Sequence, residues 1–120
     1  MPQTGTATYE YPGGWESRLS MISLIDPLDG LPAPKFEMGE LVITPGAMGR
    51  IDRKIVLASL RRHHIGDWGE LDDDDKLANE RALQQGGRLF SVYLNQSKER
   101  FYIITESNRE ITTILMPDEY

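Results

Sequence analysis

Apolar and polar positions alternate along this chain with two different periods. Between residues 53 and 64, Val56, Leu57, Leu60 and His64 share one face of a helical wheel, and Ile55 and Ala58 widen it. That spacing predicts a helix with Asp52 as its N-cap and Gly66 as its stop. A second helix is expected over about 73–85. It opens on the run Asp72 to Asp75, which suits the positive end of a helix dipole, and it closes at Gly86-Gly87. Its inner face carries Ala78, Ala82 and Leu83, with Asn79 in the middle. From Leu89 onward the period becomes two. Residues 89–94, 101–105 and 111–115 are β-branched and aromatic runs, separated by Asn95-Gln96-Ser97-Lys98 and Glu106-Ser107-Asn108-Arg109. Pro117 ends the last run. Upstream, residues 36–44 read as a short strand ended by Pro45-Gly46.

The resulting order β-α-α-β-β-β predicts an α+β fold, with two helices on one face of an antiparallel sheet that closes in a three-stranded meander. Residues 1–35 read differently. They hold five of the seven prolines, together with Gly13-Gly14 and Gly30, and are expected to form a partly ordered arm ahead of a single domain over 36–120. Inside the arm, residues 19–25 are a short apolar run, expected as an edge strand or a docking segment. The tip, residues 1–12, is expected to be mobile.

Charge narrows the function classes. Nineteen acidic against thirteen basic residues give a net charge of −6, which repels nucleic acid at long range and favours a basic protein partner. The absence of cysteine excludes disulfides, thiolate catalysis and cysteine zinc sites. No run of apolar residues is long enough to span a bilayer, and Met1-Pro2-Gln3-Thr4 offers no secretory signal, so a cytoplasmic location is expected.

The densest polar feature is Arg61-Arg62-His63-His64-Ile65-Gly66-Asp67-Trp68. Adjacent histidines on a helix point about 100° apart and do not chelate one metal. His64 extends the apolar face. His63 leaves it beside Arg62, with Asp67 close by to orient it as a general base. Trp68 lies between Asp67 and Gly69 and is read as a core or lid aromatic. A buried Asn79 needs hydrogen-bond partners, expected in the 66–69 loop. The aspartate run lacks the ligand register of a calcium loop. Glu106, Arg109, Thr112 and Thr113 gather at the second hairpin. Arg109 is expected either to close a turn ion pair or to reach toward the end of the first helix and meet His63. A histidine base, an arginine clamp and a threonine hydroxyl are the parts of a metal-independent RNase. Asp67, Trp68, Asn79 and Glu106 are the candidate binding residues. No metal site and no cofactor are expected.

Several segments together carry a resemblance. They are residues 41–47, 63–69, Asp75-Lys76 with Asn79, residues 86–93, residues 103–106, Arg109, Thr112-Thr113 and residues 115–120. In this combination the chain, from Phe36 to Tyr120, resembles a family of small bacterial proteins of plasmids and other mobile elements. The resemblance implies an accessory protein that acts by binding another macromolecule, with counter-defence of anti-restriction or anti-CRISPR type as its most specific form. At fold level the element order is similar to the barnase/EndoU/colicin/RelE-type RNases. That similarity implies the alternative, a small toxin-type RNase using His63, Arg109 and Thr112 or Thr113. Nucleic acid enters only under this alternative.

Overall fold

A computed structural model describes residues 7–8 and 33–120. Its elements run β1 (Ala7–Thr8), β2 (Glu40–Ile43), α1 (Pro45–Arg50), α2 (Arg53–His64), α3 (Asp73–Gln85), β3 (Leu89–Leu94), β4 (Arg100–Thr105) and β5 (Ile111–Leu115), followed by a 3₁₀ turn over Pro117–Glu119. This is an α+β fold. The apolar run at 19–25 lies outside the described residues. Ala7 and Thr8, within the tip expected to be mobile, are paired into the sheet.

The sheet order is β1-β2-β5-β4-β3. The meander β3-β4-β5 is antiparallel as expected. The expectation of a wholly antiparallel sheet is corrected by β2, which lies parallel to β5 from Glu40↔Ile111 to Ile43↔Ile114. The physical reason is the crossover. The helices lift the chain off the sheet after β2, and the odd-numbered meander brings β5 back in the direction of β2.

One face of the sheet carries Leu41, Ile43, Leu89, Ser91, Tyr93, Phe101, Ile103, Thr105, Thr112 and Ile114, all buried. Helix α2 packs on it through Val56, Ser59, Leu60, His63 and His64. Helix α3 adds Ala82 over Leu89 and Trp68. Asp52 caps α2 through Lys54 N, and Asp72 caps α3 through Asp75 N.

Helix α1 adds an element to the expected order. The strand ends before Pro45-Gly46 as expected, but the expected order has no helix there, and these residues begin one because Thr44 caps it by accepting from Ala47 N. A second cap arrives from the far end of the chain. The Glu119 carboxylate accepts from Gly46 N at 2.9 Å, Met116 N at 2.9 Å and the Thr44 hydroxyl at 2.5 Å. A β-carbon at position 46 would stand 2.5 Å from that carboxylate, so glycine there makes its seat. Burial acts to raise the Glu119 carboxyl, but the three donors outweigh it and hold it below the usual carboxylate range.

The free edge of β3 is closed by neighbours. Asn79 accepts from Phe90 N at 3.1 Å and donates to Phe90 O at 2.8 Å. Val92 N donates to Trp68 O, and Glu70 N donates to Val92 O. Gly69 makes the second contact possible. Its φ of 79° is left-handed, and a β-carbon there would collide with the Val92 carbonyl. Asn79 was expected to bond the 66–69 loop. It bonds the strand beside it instead, because β3 leaves an outward amide and carbonyl that need partners.

Candidate functional site

The strongest concentration of chemistry-bearing side chains is a buried relay between α2 and the sheet. His63 is fully buried. Its Nδ1 lies 2.6 Å from Ser91 Oγ on β3, and its Nε2 lies 2.9 Å from Thr105 Oγ1 on β4. Thr105 Oγ1 lies 2.6 Å from Thr112 Oγ1 on β5, and Thr112 donates to Met38 O at 2.7 Å. Each hydroxyl has one proton, which fixes every direction. Thr112 gives its proton to a carbonyl, so Thr105 must donate to Thr112. Thr105 then has only a lone pair for His63, so Nε2 carries the ring proton. Nδ1 is left bare and accepts from Ser91. The relay runs Ser91 to His63 to Thr105 to Thr112 to Met38 O, with no proton unassigned.

Its electrostatics follow from the burial. Loss of solvent, then the nearby charges of His64 and Arg109, push the His63 pKa down to about 3. The imidazole is therefore neutral at any ordinary pH. His64 is also lowered, chiefly by burial, with a backbone bond to Phe36 acting against it. Phe36 covers the group. Its ring is edge-on to His63 at 5.2 Å, edge-on to His64 at 5.7 Å and stacked on Trp68 at 6.2 Å.

The expectation that His63 leaves the apolar face is corrected here. The sequence carried a signal for this: His63 stands seven residues after Val56 and three after Leu60, the spacing of an inner helix face. Ser91 and Thr105 escaped sequence reading because they meet His63 across 28 and 42 positions.

Arg109 does not meet His63 as a clamp. In left-handed backbone with φ 61°, it donates to the carbonyls of Gly87 at 2.6 Å, Glu106 at 3.0 Å and Ala82 at 3.1 Å. It thereby fastens the C-terminal end of α3 to the β4–β5 turn. Its guanidinium lies 5.9 Å from the Phe36 ring centre, on the aromatic group that covers the relay. Glu106 pairs with Arg88 at 3.4 Å rather than with Arg109. Thr112 joins the relay, whereas Thr113, one residue on, faces the opposite side of the sheet.

Arg62 and Asp67 form a half-exposed pair beside the buried Tyr93 and Trp68. Arg62 pairs with Asp67 at 2.8 Å, which lowers the Asp67 carboxyl and raises Arg62. Tyr93 donates to Asp67 O, and the Arg62 guanidinium lies 4.7 Å from its ring centre. Burial is the main cause that raises the Tyr93 hydroxyl pKa. Trp68 is buried, and its indole N–H donates to Glu80 at 2.8 Å. No cluster of three or more metal-ligating side chains occurs among the described residues. No described helix is long and apolar enough to cross a membrane. No family model, curated protein or solved structure matches the chain.

Proposed function

We propose that this protein is a binding module, a mobile-element accessory protein that acts by holding another protein, and that its target is a component of a host restriction or CRISPR system. The observation that carries the binding reading is the sealed relay. His63 and the Thr112 hydroxyl that a catalytic account needs are buried, with every proton assigned to a neighbour, and Thr113 faces away from them on the other side of the sheet. A general base has to reach the proton it removes, and a ring with both nitrogens bonded inside the core does not. Arg109 is likewise engaged with backbone carbonyls. The acidic net charge supports a protein partner over nucleic acid. The mobile-element and counter-defence parts rest on the sequence resemblance.

The test is establishment of a plasmid in hosts that differ only in an active restriction or CRISPR system. Expression of the protein should raise establishment in the defended host and leave the undefended host unchanged, and His63→Gln, if folded, should behave as wild type. Equal establishment in both hosts, or RNA cleavage by purified protein that His63→Gln abolishes, contradicts the reading.

A further inference from the structure

The buried relay does not end at Ser91. Ser91 and Tyr93 alternate along β3 onto the same face of the sheet. Burial raises the Tyr93 hydroxyl, and a hydrogen bond with the Ser91 hydroxyl works against it. Tyr93 gives its own proton to Asp67 O. The line of contacts therefore runs Tyr93, Ser91, His63, Thr105, Thr112, Met38 O. Its five links share four protons, one each on Ser91, Thr105 and Thr112 and one on the imidazole. One link always lacks a proton. With Thr112 donating to Met38 O, that link is Tyr93–Ser91. If Thr112 loses its carbonyl, its hydroxyl turns to Thr105 and Thr105 donates to Nε2. The ring proton then sits on Nδ1, and Ser91 donates to Tyr93. The same four protons serve, and the gap passes to the Met38 end. The two ends belong to different parts of the molecule. Met38 lies in a strap, residues 33–39, that has neither helix nor strand. Lys35 N fastens it to His64 O at 2.9 Å, and the Phe36 ring lies against both histidines. Gly39 closes the strap at φ 67°, where a β-carbon would collide with the Glu110 carbonyl. At the other end, Tyr93 lies under the Arg62 guanidinium and holds the Asp67 carbonyl.

We propose that the relay is a two-setting hydrogen-bond switch that couples the strap before β2 to the Arg62–Asp67 pair. With the strap seated, Met38 O takes the Thr112 proton and the ring is Nε2–H. With the strap lifted, the ring is Nδ1–H and Ser91 donates to Tyr93. That strengthens the Tyr93 bond to Asp67 O, because hydrogen bonds in a chain polarise one another. The coupling is reciprocal. A contact that takes over the Asp67 carbonyl frees the Tyr93 proton for Ser91, which holds Ser91 on Nδ1 and the strap in its seat. Both settings carry the same charge. The switch is observable without a partner, so it stands or falls separately from the binding reading.

Nitrogen-15 spectra of the imidazole in full-length variants at neutral pH read the ring proton. Wild type and Thr112→Ser should be Nε2–H. Thr112→Val should raise the ratio of Nδ1–H to Nε2–H roughly tenfold or more, the size of one buried hydrogen bond. Replacing the Met38–Gly39 amide by an ester weakens the Met38 carbonyl as an acceptor and leaves every side chain in place. It should shift the ratio the same way, and it reads the switch even where Thr112→Val does not fold. Tyr93→Phe added to whichever form folds should return the ring toward Nε2–H, because Ser91 is then left with Nδ1 as its acceptor. A ring that keeps the wild-type ratio in either folded form, or a shift that Tyr93→Phe does not reverse, overturns the proposal.

Discussion

The carboxylate of Glu119 occupies the space that a side chain at position 46 would fill. Glu119 and Gly46 are 73 positions apart, and the backbone N–H of one donates to the other at 2.9 Å. The contact ties the C-terminal turn to the first turn of α1 and makes the two ends of the domain one unit.

A double-mutant cycle reads this contact. Gly46→Ala should expel the Glu119 side chain rather than strain the backbone, because the obstructing atoms are the free end of a flexible chain. The expected cost is about 1–2 kcal/mol, the size of a charged hydrogen bond lost. Glu119→Ala should cost a similar amount. In the Glu119→Ala background, Gly46→Ala should be neutral or should stabilise by up to about 1 kcal/mol, from helix propensity. Additive losses by urea unfolding would show that the two residues do not share the site.

Closure of the β3 edge predicts a residue-specific pattern of hydrogen exchange. Asn79→Ala should expose the Phe90 amide, leave the Val92 amide protected and cost roughly 1–3 kcal/mol. Gly69→Ala should do the reverse at Val92, and at greater cost, since it meets backbone in a left-handed conformation. Equal exposure of both amides in both variants would contradict separate fastenings.

His63 should be the costlier of the two adjacent histidines to remove. His63→Ala leaves the Ser91 and Thr105 hydroxyls without their partner and opens a cavity, for a loss of about 3 kcal/mol. This reverses the order suggested by the helical wheel, on which His64 extends the apolar face. A larger fall in melting temperature for His64→Ala than for His63→Ala would restore that order.

Acid should weaken the fold before the carboxylates titrate. His63 titrates near 6.5 when unfolded and near 3 when folded. The unfolded chain therefore takes up the proton first as pH falls below 6.5. The stabilising contribution is complete above 6.5 and is lost progressively toward pH 3. From pH 7.5 to pH 5 the loss from this group is about 2 kcal/mol. His64, also depressed by burial, acts in the same direction. Unfolding free energies from urea titrations at the two pH values should differ by at least that amount, and His63→Gln should reduce the difference by the His63 share. Equal free energies in the wild type would contradict a buried neutral ring.

Much of the local structure was legible in the sequence. The bounds of α2 and α3, the meander and the caps Asp52 and Asp72 all follow from periodicity and short-range chemistry. What was not legible depends on distant partners. Pro45-Gly46 is rightly a strand stop, but the short helix it opens draws half of its capping from Glu119, 73 positions away. A wholly antiparallel sheet is the simpler reading until the crossover brings β2 beside β5. Asn79 is plainly a polar residue on an apolar face, but its partner is set by which strand lies at the edge. The spacing of His63 from Val56 and Leu60 marks an inner-face position, but its partners Ser91 and Thr105 are not legible because they reach it from strands far along the chain. Arg109 looks like an anion clamp because the carbonyls it binds come from α3 and two turns.

The protonation state of His63 tests the account most directly. Nitrogen-15 spectra of the imidazole, followed from pH 8 to pH 5, report which ring nitrogen carries the proton and whether a second is taken up. The proton directions around the ring predict a bare Nδ1 and a protonated Nε2 at every pH in that range, with the Nε2 proton slow to exchange with water. A His63 ring that titrates near its ordinary value, or whose proton exchanges rapidly, would place it in contact with solvent and contradict the sealed relay on which the binding reading stands.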